Sequence, residues 1–155
     1  YDSKVYPLDL FYFFFNQLAV NKTLKILLFG GGKKEIEHLN LLSKNHENVI
    51  VVAGKLKFQQ ELQLISNLDV MLSMDSGNAH IAAMLGVKVI TLWGATHPFA
   101  GFSPFNQPMG NALVSDSNLF PKLPTSVYGN KMVEGYEDAM RTIAVEKIVS
   151  SVQSQ

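Results

Sequence analysis

The sequence contains no cysteine, which excludes disulfide bonds, thiolate metal sites and cysteine nucleophiles together. It also lacks an excess of either charge, because 13 basic residues balance 13 acidic ones. Proteins that bind nucleic acid usually carry a clear basic surplus, so no nucleic-acid partner is expected. Long apolar runs are missing as well. The run from Leu8 to Phe15 near the start contains Asp9 and is far shorter than the ~20 residues that span a bilayer.

Two common phosphate-binding motifs are absent from the chain. Neither G-x-G-x-x-G nor G-x-x-x-x-G-K-[ST] occurs, although a Gly30-Gly31-Gly32 run follows an apolar segment. Simple dinucleotide and P-loop functions therefore lose support. The four histidines and the scattered carboxylates show no metal-binding spacing such as H-E-x-x-H, so we expect neither a metal ion nor a cofactor.

The 155 residues, of which 47% are apolar, are enough for one compact domain with a real core. Short apolar runs alternate with amphipathic segments, and the runs predict four strands, at Leu24–Phe29, Asn48–Ala53, Asp69–Met74 and Lys88–Trp93. Strands that are apolar along their length indicate a sheet covered on both faces. The alternation predicts an α/β fold, a Rossmann-like parallel sheet with helices on both faces.

The βα alternation stops after Trp93. Five of the six prolines lie between Gly94 and Asn130, which predicts a long loop or series of turns. The segment from Val133 to Val152 then has helical periodicity and predicts a closing helix. Its inward positions are expected to be Tyr136, Met140, Ile143 and Ile148.

Small polar residues and glycine follow all four predicted strands, and the turn Asp75-Ser76-Gly77 is the most informative of these. A helix is predicted to begin there, so free backbone N–H groups and the helix dipole favour a bound anion such as a diphosphate. Asp75 would repel that anion and is expected to face a hydroxylated sugar instead. Simpler explanations exist: glycines make tight turns, Asp75-Ser76 is an ordinary N-cap pair, and His80 packs at a helix–loop contact.

The stretch "DVMLSMDSGNAHIAAMLGVKVITLWGATHP" resembles the heptosyltransferase family, glycosyltransferase family nine. The family pattern there is D-[ST]-G-x-x-H-x-A-A-x-x-x-x-P-x-[IV]-x-[LI]-[FYW]-G-x-T-x-P. The chain departs from it at Lys88, where proline is usual, and at Asn78. "SKVYPLDLF", "LFGGGKKE" and "VVAGKLKFQQELQLISNLDV" resemble further family segments. The resemblance thus runs from the start to about Pro98.

This resemblance implies one half of a GT-B glycosyltransferase, a two-domain enzyme. Residues 1–155 would form the single C-terminal domain that binds the nucleotide-sugar, without the N-terminal acceptor domain and without a first strand expected before Tyr1. The donor-binding residues implied by the family are Lys4, Glu35, Asp75, Ser76, Gly77, His80 and Thr96. In that scheme Lys4 neutralises the diphosphate, the amides of Ser76 and Gly77 hold it, and Asp75 binds sugar hydroxyls.

The family activity is inverting transfer of a sugar from a nucleotide-sugar, in this case an ADP-sugar, to a lipopolysaccharide core acceptor. The catalytic base is expected in the absent N-terminal half, so this chain alone should be inactive. The implied location is cytoplasmic, with peripheral contact to the inner membrane through the full-length protein. Two other functions stay open from the residues: a sugar-nucleotide epimerase-like domain and a non-catalytic nucleotide-binding module.

Overall fold

The computed structural model describes residues 4–154; the predicted domain, 1–155, includes four residues outside that range. Helices and strands alternate through most of the chain. The helices are α1 (Leu8–Val20), α2 (Lys33–Ser43), α3 (Phe58–Ile65), α4 (Gly77–Met84) and α5 (Val145–Gln153). The strands are β1 (Ile26–Leu28), β2 (Val49–Val51), β3 (Val70–Met74), β4 (Lys88–Trp93) and β5 (Ala112–Val114).

All described strand pairs are parallel, as the sequence predicts. They form two sheets, β1-β2 and β3-β4-β5. The register pairs Leu27 with Ile50 in the first sheet, and Leu72 with Ile90 in the second. The predicted α/β fold class is confirmed, but the strands are divided between two sheets.

Two apolar clusters lie on opposite faces of these sheets. The larger one joins α1 and α5 to β1, β2, β4 and β5 and contains Phe15, Leu92 and Ile148. The smaller one joins α3 and α4 to β3 and β4, and three alanines of α4 are buried in it. Alanine lets α4 approach the sheet closely, and this close packing fixes the position of the turn that precedes the helix.

The end of α4 is set by Gly86. Gly86 has a φ of +80°, a value that glycine adopts without steric cost. The Gly86 amide donates to the carbonyl of Ala83 and the Val87 amide donates to that of Ala82. This is the Schellman pattern, which satisfies the last carbonyls of the helix.

Two predictions after Trp93 are wrong in part. The segment 94–130 contains the parallel strand β5, whose three residues are too few to stand out as an apolar run. The predicted closing helix begins at Val145 instead of Val133, because Gly135 takes a φ of +82° and only a short 3-10 helix, Ala139–Thr142, precedes α5. Met140, Ile143 and Ile148 are nevertheless buried as predicted.

The start of α1 and the segment before it are bonded to the segment that precedes α5. The Tyr6 hydroxyl donates a buried hydrogen bond to the carbonyl of Ile143 over 2.8 Å, and burial raises the pKa of this phenol. Arg141 makes a bidentate ion pair with Asp9, in which Nη1 is 2.7 Å from Oδ2 and Nη2 is 3.0 Å from Oδ1. The guanidinium of Arg141 lowers the pKa of Asp9 below its usual value.

Candidate functional site: the carboxyl ends of β3 and β4

The turn between β3 and α4 leaves the first amides of α4 open. Ser76 occupies the N-cap position, but its hydroxyl lies 2.7 Å from the hydroxyl of Ser73 and, among the described residues, makes no capping hydrogen bond. Gly77, the first residue of the helix, is exposed, and a Cβ placed on it would meet no atom within 4 Å. The helix therefore presents unsatisfied N–H groups and its positive dipole end to open space.

An ion pair lies immediately before this helix. Lys4 Nζ is 2.6 Å from Asp75 Oδ2, and the side chains are only 22% and 7% exposed. Oδ2 accepts no hydrogen bond of good geometry within the part of the chain described, so the contact is mainly a charge–charge attraction. The pair joins the start of the chain to the end of β3, and it places an ammonium group and a carboxylate beside the open helix terminus.

A segment of the long loop covers this ion pair. Thr125 donates its backbone N–H to the carbonyl of Ala95 at 2.9 Å, which brings the loop to the end of β4. Gly129 is buried at a φ of +73°, and a Cβ there would lie 2.6 Å from Lys4 Cε and 3.1 Å from Thr96 Cγ2. Only glycine allows this approach, so the loop encloses Lys4 and Thr96 by lacking a side chain at that point.

Thr96 borders a second, smaller space at the end of β4. It is 2% exposed, and its hydroxyl has no hydrogen-bond partner among residues 4–154. A cavity of about 320 Å³ lies between Thr96, Ser115 and Pro124. Buried hydroxyl groups are usually paired, so this one is available to a polar group of a ligand or to water.

Glu35 lies at the end of a different strand. It is in the first turn of α2, after β1, and its Oε2 accepts a hydrogen bond from the Gly31 amide at 2.8 Å. Glu35 and Gly31 line one open groove together with Ser76 and Gly77. We call this the central groove; it runs between β1 and β3. Glu35 is thus separate from the Lys4–Asp75 pair but borders the same open space as the start of α4.

The structure brings four of the seven predicted residues into one cluster: Lys4, Asp75, Ser76 and Gly77. Thr96 approaches it through Gly129, Glu35 borders it across the central groove, and His80 lies half-buried one turn into α4. Their donor-binding roles stay predictions.

Sequence reasoning missed Ser73 and Gly129. A Tyr-Gly-Asn turn is visible at Gly129, but no sequence signal shows where a long loop folds back.

Within residues 4–154, no group of three or more histidine, aspartate or glutamate side chains is placed to hold a metal ion. No helix in the described part of the chain is both long and apolar enough to cross a membrane.

Known proteins with similar folds support the architecture. The chain aligns with the E. coli heptosyltransferase WaaC, whose structure contains ADP, at a TM-score of 0.73 and 19% identity, over 99% of this chain and 40% of WaaC. It aligns with E. coli ADP-heptose LPS heptosyltransferase II at a TM-score of 0.68 and 22% identity, over 97% of this chain and 41% of that one. At these identities the likeness shows a shared fold.

The sequence comparisons reach the level of the family. The lipopolysaccharide core heptosyltransferase OpsX of Haemophilus influenzae is 30% identical over 125 residues, which are 78% of this chain and 35% of OpsX. The chain therefore spans about a third of the length of that relative. The model of glycosyltransferase family 9 (heptosyltransferase) matches residues 1–133. From this match and the shared fold, the chain belongs to glycosyltransferase family 9, the heptosyltransferase family.

Proposed function

We propose that the chain is the donor-binding half of an inverting glycosyltransferase, and that the full-length protein transfers a sugar from an ADP-sugar to a lipopolysaccharide core acceptor. The observation that carries this proposal is the cluster at the start of α4. Open helix amides, the Lys4 ammonium and the Asp75 carboxylate lie together there. Family membership and the ADP in the WaaC structure favour the same class of donor.

The cluster contains complementary groups for a diphosphate and a sugar. The amides at Ser76 and Gly77 would donate hydrogen bonds to a phosphate, and the helix dipole would add to their attraction. The Asp75 carboxylate would accept hydrogen bonds from sugar hydroxyls while Lys4 compensates its charge. These adjacent groups would therefore bind the anionic diphosphate and the neutral sugar of the donor at neighbouring positions.

The proposed chemistry of this half is electrostatic. When the sugar leaves, negative charge builds up on the departing diphosphate. Lys4 and the first amides of α4 stabilise that charge, and donors already in place lower the barrier most effectively. A general base must also take the proton of the acceptor hydroxyl. We place that base in the N-terminal half, so this chain by itself would bind donor and transfer nothing. The full-length protein would act in the cytoplasm, in peripheral contact with the inner membrane.

Amide chemical shifts test the binding site directly. Titration of ADP into the isotope-labelled protein should shift the amide signals of Ser76, Gly77 and Asn78. Amides before β2, such as that of Glu47, should stay unchanged because they lie at the opposite end of the strands. If millimolar ADP leaves Ser76–Asn78 unperturbed, the diphosphate site is wrong.

The role of Asp75 is tested by comparing two ligands. Asp75→Ala should weaken binding of an ADP-sugar by about 10- to 100-fold, because hydrogen bonds to a charged group contribute about 1.5–3 kcal/mol. Binding of ADP should change less than about threefold, since the nucleotide does not reach the carboxylate. Glu47→Gln, an exposed acidic residue changed in the same sense, is the matched control. Equal losses for both ligands would reject the sugar contact.

A further inference from the structure

The cavity at the carboxyl ends of β4 and β5 is distinct from the cluster at the start of α4. We call it the β4–β5 cavity. Its volume is about 320 Å³, at the small end of the range of about 300–1,000 Å³ that ligand sites occupy. The turn after β4, the residues after β5 and part of the long loop line it. Ligands of open α/β sheets bind beyond the carboxyl ends of the strands, and the cavity lies at that edge.

The hydroxyl of Thr96 makes this cavity suitable for a polar ligand. Thr96 lines the cavity and is 2% exposed, and its Oγ1 has no hydrogen-bond partner within residues 4–154. The Thr96 atom nearest to Gly129 is the methyl carbon Cγ2, so the hydroxyl is turned another way. An unpaired buried hydroxyl destabilises the folded chain, and a ligand that hydrogen-bonds to Oγ1 removes that cost.

Two further polar side chains of the lining complement this hydroxyl. Nδ1 of His97 accepts a hydrogen bond from the Phe99 amide at 3.2 Å, which assigns the ring proton to Nε2 and makes that atom a donor. The buried Ser115 hydroxyl donates to the Trp93 carbonyl at 3.0 Å, so its oxygen can still accept. The lining thus offers donors and acceptors together, as a ligand with several hydroxyl groups requires.

The charge of the lining excludes an anionic ligand. Of the residues that the structure describes, no lysine, arginine, aspartate or glutamate lines the β4–β5 cavity. A phosphate or carboxylate is bound by cationic side chains or by a row of free backbone amides, and the described lining includes neither. The donor diphosphate therefore belongs at the start of α4, and the cavity suits a neutral molecule.

An aromatic ring supplies the apolar part of the cavity. Phe99 lines it and is 78% exposed, so the ring lies at the mouth, 4.9 Å from the ring of His97 between centroids. A pyranose ring carries C–H groups on its faces and hydroxyl groups around its edge. One face can therefore cover the Phe99 ring while the hydroxyls reach Thr96 and His97.

We propose that the β4–β5 cavity binds a neutral sugar ring of the acceptor saccharide. The assignment to the acceptor rests on the proposed glycosyl transfer, whereas the preference for a neutral sugar follows from the lining. The sugar of the donor is placed at Asp75, and Lys4 contacts Asp75 directly. A Cβ on Gly129 would meet both Lys4 and Thr96, so Lys4 lies between the two sugar positions. Thr96 then contacts the acceptor rather than the donor.

Binding of a simple glycoside to the full-length protein tests the cavity. The alanine methyl groups are isotope-labelled, because Ala100 lines the cavity and Ala19 lies in the larger apolar cluster. Methyl α-D-glucopyranoside or methyl α-D-mannopyranoside should shift the Ala100 signal with a Kd of about 1–10 mM, as expected for about 13 non-hydrogen atoms. The Ala19 signal should not move. An unchanged Ala100 signal at about 50 mM of either glycoside, above that Kd, would overturn the proposal.

Substitutions of Thr96 separate its hydroxyl from its shape. Thr96→Val keeps the shape and should weaken glycoside binding by about 10-fold, because it leaves a sugar hydroxyl unpaired. It should not lower Tm, since the hydroxyl that it removes has no partner within residues 4–154. Thr96→Ser keeps the hydroxyl and should bind within about threefold of the parent. Equal binding by Thr96→Val and the parent would show that the hydroxyl does not contact the sugar.

Competition and kinetics identify the source of the sugar. A saturating ADP-sugar should leave the glycoside bound, and its displacement from the cavity would mean that the donor's own sugar occupies it. In a transfer assay, Thr96→Val should raise KM for the acceptor by about 10-fold and leave KM for the ADP-sugar unchanged. An unchanged KM for the acceptor would refute the assignment to the acceptor. Glycoside binding at Ala100 without any ADP shift at Ser76–Asn78 would instead reject the proposed donor site alone.

Discussion

The Lys4–Asp75 ion pair gives a quantitative prediction about stability. Lys4→Met keeps the length of the side chain but removes its charge, and it leaves an Asp75 carboxylate that is only 7% exposed. Asp75→Asn does the reverse: it leaves the ammonium of Lys4, which is 22% exposed and can turn its charged end toward water. The two substitutions break the same contact, but they leave charges in different surroundings.

The expected costs follow from that difference. Removal of one partner from a buried pair costs about 3–5 kcal/mol, and an exposed pair contributes about 0–1 kcal/mol. Because the carboxylate is almost fully buried, we expect Lys4→Met to lower the free energy of unfolding by about 3 kcal/mol. Asp75→Asn should lower it by about 1 kcal/mol. The double variant contains no unpaired charge and should lose about 2 kcal/mol, less than the sum.

Urea unfolding measures these differences. Trp93 is the only tryptophan in the chain and is 1% exposed, so its fluorescence reports loss of the core. With a typical m-value of about 2 kcal/mol/M, Lys4→Met should lower the urea midpoint by about 1.5 M at an unchanged slope. Glu47→Gln, an exposed carboxylate, is the control. Equal and additive costs for Lys4→Met and Asp75→Asn would refute the idea that the buried carboxylate depends on the ammonium.

Two further predictions concern the loop and the helix pair. Gly129→Ala should lower the free energy of unfolding by about 1–3 kcal/mol, because the left-handed conformation disfavours a side chain and the added Cβ would displace Lys4. Urea unfolding of this variant is compared with that of Gly135→Ala, where backbone strain is similar but a Cβ meets open space. Equal losses in the two variants would mean that the contact with Lys4 contributes nothing. The lowered pKa of Asp9 contributes stability that is present above pH ~4 and is lost as the pH falls through the folded-state pKa. Between pH 5 and pH 2 the Tm of Asp9→Asn should therefore fall less than the Tm of the parent. Parallel plots of Tm against pH would show that the pair with Arg141 does not contribute.

The first two-thirds of the fold could be predicted because its signals are local. Runs such as Val70–Met74 and Lys88–Trp93 are predominantly apolar, and each is followed by a glycine or small polar turn. What the sequence did not show is which strands pair. The division between β1 and β3 is a matter of pairing between segments distant in the chain, and a local pattern of apolar residues does not encode that pairing.

The structure after Trp93 was harder to predict from the sequence, for physical reasons. β5 is three residues long, and its strand conformation comes from pairing with β4 rather than from its own composition. The helical periodicity before Val145 is real, since Met140 and Ile143 are buried, but a left-handed glycine at position 135 and a 3-10 turn put those side chains inside without an α-helix. Periodicity records which residues face the core, and more than one backbone path satisfies it.

At the candidate site, residue identities were predicted and the arrangement was not. The family pattern selects Lys4 and Asp75 separately, and the structure adds that they contact each other across 70 intervening positions of sequence. The covering loop with Gly129 was outside the pattern. Contacts between distant segments are decided by the packing of the whole domain, and a single sequence carries no direct record of them.

The bond from Tyr6 to Ile143 joins positions separated by 137 residues, and it has a consequence for biosynthesis. The two bonded residues lie just before α1 and α5, and these helices pack in the same apolar cluster, so the first helix made in this region has its buried partner in the last. During translation, α1 leaves the ribosome before α5, and its aromatic face stays unpacked until α5 has also emerged. This region therefore completes its folding after its synthesis, and chaperones that shield apolar helices have their longest opportunity at α1.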